Sequence, residues 1–377
     1  MRAACWTLST ALVAVLLLGV WPDGATAEEA APADAEQVVT PKAPRDPRPY
    51  RARRGSGKPT LHWQSDGSGE DNTPRDFTGP LHTAAFAGDT KALTKQLEAG
   101  ADVNLADAEG ATPLHAAAYG GQAEAAKLLA EKGADLDALD DLAVSPLHLA
   151  ALQGHVEVIR VLIAAGANTE VRNRRKMTPL HIATREQQHA AALALIDGGA
   201  DVNALGIRRW APIHFTARTG DIEVMRRIIE KGGEIGIARP NGFTALHHAI
   251  QVRQYEIVVL LVSKGADVNK LTEGGNTPLS VAVRSEAPAI ILHLVEHGAD
   301  VNATSQNGNS ALHVAAFNGK IDALETLLAL GADASATNDK GETPLDLARK
   351  PAKSPQRQSQ REQAVKLLEA HAAAASS

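Results

Sequence analysis

Apolar and polar positions along this chain recur with one long period. In the run TPLHAAAYGGQAEAAKLLAEKGAD, from Thr112 to Asp135, Leu114, Ala117 and Ala118 fall at helical spacing. A Gly120-Gly121 break follows, and then Ala125, Leu128 and Leu129 fall at helical spacing again. The arrangement returns every 33 residues, anchored at Leu81, Leu114, Leu147, Leu180, Ile213, Leu246, Leu279, Leu312 and Leu345. A period of this length, held over nine copies without slippage, marks stacked supersecondary units, none of which can bury its apolar stripe alone. The predicted fold class is all-α: a solenoid of nine helix-turn-helix units joined by loop or β-hairpin fingers.

Local chemistry supports each unit. Thr112 can accept a backbone N–H bond at a helix start, and Pro113 fits the first helical position, where no N–H is needed. The Gly120-Gly121 pair supplies the left-handed conformation that ends a helix, and Gly133 stops the second one before the finger GADLDALDDLAV. Small alanines in the first helices allow neighbouring units to approach closely. The predicted units are 79–111, 112–144, 145–177, 178–210, 211–243, 244–276, 277–309, 310–342 and a capping copy, 343–377. In that last copy KPAKSPQRQS is inserted before the stripe resumes at Ala364, and residues 372–377 are expected to fray.

These residues resemble the ankyrin repeat, whose 33-residue unit carries T-P-L-H, A-A, a glycine turn, a V-x-x-L-L helix and G-A-D-V-N. TPLH stands complete at Thr112–His115 and Thr178–His181, SPLH at Ser145–His148, and GADVN at Gly100, Gly199, Gly265 and Gly298 onward. The likeness covers residues 79 to 371. It implies an ankyrin-repeat α-solenoid over 78–377 that binds partner proteins. It also implies a structural role for His82, His115, His148, His181, His214, His247 and His313 at the fourth place of the motif, each joining a helix start to the adjoining finger.

Composition changes this picture mainly at the N-terminus. A net charge of -6 and 3% aromatic content suit a solenoid of Ala, Leu and Val and give no bias toward nucleic acid. Residues 1–27 read as a signal peptide: Arg2, an apolar run from Leu8 to Trp21, and an A-x-A site at Ala25-Thr26-Ala27. An uncleaved membrane anchor is the alternative, since Ala3 to Trp21 carries no charge. The single cysteine, Cys5, lies in this leader, so cleavage leaves no thiol for disulfides, metal or catalysis. Residues 28–77 read as a disordered Pro/Ala/Arg-rich linker. Between 42 and 58 it holds Lys42, Arg45, Arg48, Arg51, Arg53, Arg54 and Lys58 against Asp46 alone. That run is either a soluble tether, the simpler reading, or a weak contact to an anionic envelope surface. GSGKP at 55–59 is no phosphate loop, because Ala52 and Pro59 stand where Gly and Ser or Thr are required.

No catalytic or cofactor constellation is expected. No G-x-S-x-G elbow occurs in the repeats, and a solenoid has no deep closed pocket. His293, Glu296 and His297 match H-x-x-E-H, and i,i+4 histidines can share a metal. Within the repeat, however, they fall on an ordinary second helix before Gly298, so a solvated helix face is the expectation and no metal is assigned.

The predicted binding surface is the concave face formed by the fingers and the outward side of the first helices. Five residues past the anchors stand Phe86, Tyr119, Leu152, Arg185, Arg218, Gln251, Arg284 and Phe317, with apolar ends and a basic middle. The middle fingers add Arg174, Arg175, Arg208, Arg209 and Arg239, and Trp210 is either an anchor or, more simply, packing between fingers. Here the repeat's own rules fail: Ala143, Lys176 and Arg209 replace the finger glycine found at 110, 242, 275, 308 and 341, and Ala211 replaces the capping hydroxyl. Local violations gather where function constrains a sequence, the alternative being drift in a tolerant array with ordinary charged fingertips. The expectation is a monomeric, non-catalytic scaffold of the bacterial periplasm holding an acidic protein partner at Arg174, Arg175, Arg185, Arg208, Arg209, Trp210, Arg218 and Arg239. Alternatives are a secreted effector on a host protein, or an immunity or protective protein for an envelope enzyme or toxin.

Overall fold

The structure, a computed structural model, describes residues 77–375. The predicted signal peptide and, Phe77 apart, the predicted linker lie outside the described residues. Among the described residues are eighteen α-helices in consecutive pairs. They are α1 (Pro80–Ala87), α2 (Thr90–Glu98), α3 (Pro113–Gly120), α4 (Ala123–Glu131), α5 (Pro146–Gln153), α6 (Val156–Ala164), α7 (Pro179–Arg185), α8 (His189–Asp197) and α9 (Pro212–Thr219). The second half holds α10 (Ile222–Glu230), α11 (Ala245–Gln251), α12 (Tyr255–Ser263), α13 (Pro278–Arg284), α14 (Pro288–Glu296), α15 (Ala311–Asn318), α16 (Ile321–Ala329), α17 (Pro344–Arg349) and α18 (Pro355–Ala375). None of them is long and apolar enough to cross a membrane.

The core is one continuous layer. Its fully buried alanines, among them Ala117, Ala150, Ala183, Ala249, Ala282 and Ala315, lie at equivalent places in the first helices, with the equally buried Thr216 at that place in α9. A methyl group there lets backbones approach where a larger side chain would hold them apart. Leucine and isoleucine anchors fill the space between the rows. At each helix start the histidine ring joins two units. In α3, His115 Nδ1 accepts the Thr112 amide at 3.0 Å and Nε2 donates to the Val144 carbonyl at 3.0 Å. His82, His148, His181 and His313 reach the next loop in the same way. His214 deviates, donating to Ile237, and the buried Nε2 of His247 has no partner.

The β-hairpin strands anticipated between units do not form. A single isolated bridge, Thr304 to Ser310, is the only pairing among the described residues. Each loop closes on itself within a few residues instead: Asp107 Oδ1 accepts the amides of Glu109 and Ala111, while the Asp107 amide donates to the Ala111 carbonyl. Such an Asx-closed turn leaves too few residues for a ladder. Lateral bonds link loop to loop, as from the Ile207 amide to the Arg175 carbonyl at 3.0 Å.

The chain end departs from expectation as well. Residues 355–359 of the insertion are helical, and α18 continues unbroken through Ala375. Arg361, 3% exposed, fixes it: its guanidinium donates to the carbonyls of Phe317, Lys350 and Pro351 and lies 4.2 Å above the Phe317 ring.

Candidate functional site

Four of the eight predicted contact residues line one open groove on the inner face. Arg175, Arg185, Trp210 and Arg218 surround a volume of about 420 Å³, together with Met177, Gln187, Ile207, Phe215, Thr219 and Val252. The floor is apolar: Met177, Ile182 and Phe215 form a small cluster separate from the main core, with Leu152 and Trp210 packed against it. A 3₁₀ turn, Ile207–Arg209, sets Trp210 at its end.

Trp210 is partly buried and acts both as packing and as groove wall. Its ring stacks on Phe215 at 4.5 Å and on His248 at 4.9 Å. Arg239 lies 4.1 Å from the ring centroid and Arg218 5.6 Å, so two cations share one π system. Arg185 is tied by its Nε to Glu186 at 2.6 Å. Arg209 donates to the Ala238 carbonyl at 3.3 Å, and Arg174 and Arg208 stand exposed on neighbouring loops outside the groove lining. The predicted residues therefore divide into a groove set and a loop-tip set, with Arg239 behind the tryptophan.

The site's electrostatics are one-sided. Burial, with Arg208 and Arg218 nearby, holds the Arg239 guanidinium below its ordinary value, and its buried Nε has no hydrogen-bond partner. His248, 4% exposed, has neither ring nitrogen bonded. Burial first, then His214, Arg239 and Arg218, push it down to about 3, so it is neutral and reinforces the aromatic wall. Positive charge thus surrounds an apolar floor, and a carboxylate placed here would meet several cations.

Sequence reasoning missed His248, Phe215, Met177 and Val252. The signal lay two residues past the anchors, where Ala116, Leu149, Ile182, Val281 and Val314 are aliphatic but Phe215 and His248 carry rings. Backbone strain was foreseen in part. Ala143, Lys176 and Arg209 do take positive φ, of 56°, 57° and 55°. So do Arg208 and, at the helix-ending glycine position, Gln187, Arg253 and Glu286.

The H-x-x-E-H residues do cluster. Their ligand atoms lie within 4.8 Å of one another at the end of α14, with His293 half-buried and Glu296 and His297 exposed. His297 Nδ1 donates to the His293 carbonyl, leaving Nε2 as its free nitrogen.

A helical repeat array with an open groove has the form of a binding module. Comparison with known families agrees: ankyrin repeats (3 copies) match residues 61–140, 81–173, 133–206, 180–272 and 213–305, and ankyrin repeats (many copies) match 294–348. The chain belongs to the ankyrin repeat family, whose repeats are generally protein–protein interaction modules and typically non-catalytic. No curated protein matches it.

Proposed function

We propose that this protein is a non-catalytic scaffold of the bacterial cell envelope that holds an acidic segment of a partner protein on its inner face. One observation carries this: an apolar floor of Met177, Phe215 and Trp210 bordered by Arg175, Arg185 and Arg218, with Arg239 against the tryptophan. An apolar anchor flanked by carboxylates complements both the floor and the positive rim of such a surface, whereas a purely acidic segment leaves its floor wet. The leader pattern of residues 1–27 supports export to the periplasm.

Charge reversal of Arg174, Arg175, Arg208 and Arg209 to Glu tests the reading. The expected result is loss of capture from an envelope extract with the melting temperature nearly unchanged, and capture by the unaltered chain that weakens as salt rises. Equal capture by both chains removes the proposal. Release beyond the outer membrane on fractionation would favour a secreted effector instead.

A further inference from the structure

The described chain begins on the very face that carries the groove. Phe77 is 9% exposed, and its ring lies 6.1 Å from Phe86 and 5.7 Å from Tyr119. Phe86 and Tyr119 occupy the repeat position that Arg185 and Arg218 occupy three units further on. Phe77 thus stands at the apolar end of a strip of equivalent positions that turns basic at Arg185 and Arg218.

The residues just ahead of Phe77 have the complementary chemistry. Residues 61–72 read LHWQSDGSGEDN, which contains Leu61 and Trp63, then Asp66, Glu70 and Asp71, and no Lys or Arg. Gly67, Ser68 and Gly69 impose little conformational preference. The reach is also right. Packed units lie about 10 Å apart, so Arg185 is about 20 Å beyond Tyr119. Six residues separate Asp71 from Phe77, about 20 Å of extended chain at about 3.3 Å per residue. Trp63, fourteen residues ahead of Phe77, has enough chain to pass Arg218 with slack.

Resting on the proposed function, we infer that the groove's resident occupant is the chain's own segment 61–72, a tethered mimic of the partner. Glu70 and Asp71 face Arg175 and Arg185, Asp66 faces Arg218, and Trp63 fills the floor beside Trp210, Phe215 and Val252. A partner must then displace this segment, so it must present the same pairing of an aromatic anchor with carboxylates and bind more tightly than a tethered copy. Tethering turns the segment's binding into an intramolecular event, at an effective concentration of roughly millimolar. Even a weak intrinsic contact then keeps the groove occupied.

The test adds a fluorescein-labelled peptide of residues 61–72 in trans to the full chain and to a full-length Trp63→Ala/Asp66→Asn/Glu70→Gln/Asp71→Asn variant, followed by anisotropy at low salt. The expected result is peptide binding about ten-fold tighter to the variant than to the unaltered chain, since the variant lacks the competing tethered copy. Adding Arg175→Glu and Arg218→Glu to the variant should abolish it. Equal affinity for both chains overturns self-occupancy, as does binding to neither. The broader patch reading stands or falls separately, on the envelope pull-down.

Discussion

Acid should unfold this array well above the pH at which its carboxylates titrate, because its buried histidines are held neutral. Burial pushes His148, His181, His214 and His247 down to about 4 and His248 to about 3, from an ordinary 6.5. In the unfolded chain these rings take up protons as pH falls through 6.5, while in the fold they do not. The stability they lend is thus complete above pH 6.5 and is lost progressively as pH falls toward the folded values. At pH 5.5 each ring favours the unfolded chain by RT ln(1 + 10^(6.5−5.5)), about 1.4 kcal/mol. That figure barely depends on the folded value while it stays below about 5. Five rings together give about 7 kcal/mol, on the scale of a whole domain's stability of about 5–15 kcal/mol. The geometry supplies the reason: Nδ1 of His148, His181, His214 and His247 accepts a backbone amide, so a second ring proton breaks a cap, and His248 has no acceptor to receive one. His189, raised by its bond to Asp221, acts in the opposite direction on the surface, stabilising the fold at low pH and losing that contribution as pH rises through its raised value. The measurement is urea unfolding by circular dichroism at pH 7.5, 6.5 and 5.5. The midpoint should collapse over this interval, and His248→Phe should lower the proton uptake on unfolding by about one. A midpoint unchanged from pH 7.5 to 5.5 would refute the account.

Four further outcomes follow from local geometry. Gly242 sits at φ 77°, and a Cβ there would lie 2.6 Å from the Glu273 amide nitrogen and 2.7 Å from the Thr272 Cα, so Gly242→Ala should destabilise by more than the roughly 1 kcal/mol of left-handed strain alone. Lys176→Gly, at φ 57° in an equivalent loop, should instead be neutral or stabilise by up to about 1 kcal/mol; thermal melts of both variants decide it. Arg361→Met removes three bonds to otherwise orphaned carbonyls and should destabilise by about 3 kcal/mol, with faster hydrogen exchange confined to α17 and α18. Three ligand atoms on one exposed helix end, with no carboxylate orienting either histidine, make a poor zinc site; an equimolar chelator should keep the metal, and stoichiometric retention lost in His293→Ala would overturn this.

What was legible in the sequence, and what was not, follows from the range of the forces involved. Helix positions were readable because each is set within one unit: Pro113 and Thr112 start α3, and glycine ends it. The Ala117 row was readable because close packing admits only small side chains. Lys176 and Arg209 announced strain by standing where glycine belonged. The groove itself was only half visible. Its arginines were found by charge, but its floor depends on four consecutive units bringing Met177, Phe215 and His248 around Trp210, contacts that no single repeat encodes. The straightened final helix was invisible for a related reason, since KPAKSPQRQS looks like a loop until Arg361 finds carbonyls on two other elements.

The same contrast bears on why this region tolerates so many departures from the repeat. Positive-φ residues cost about 1 kcal/mol or more apiece, and Lys176, Gln187, Arg208, Arg209 and Arg253 all fall beside the groove or on its loops. Glycine at these places would relieve the strain but remove the side chain. Arg208 and Arg209 retain guanidinium groups near Arg239, which is already held below its ordinary value by burial and by its neighbours. Charge crowding, buried unbonded nitrogens on Arg239 and His248, and strained backbone all weaken the isolated fold at one place. An acidic occupant relieves the first of these directly, so occupancy of the groove should raise the melting temperature more at low than at high ionic strength.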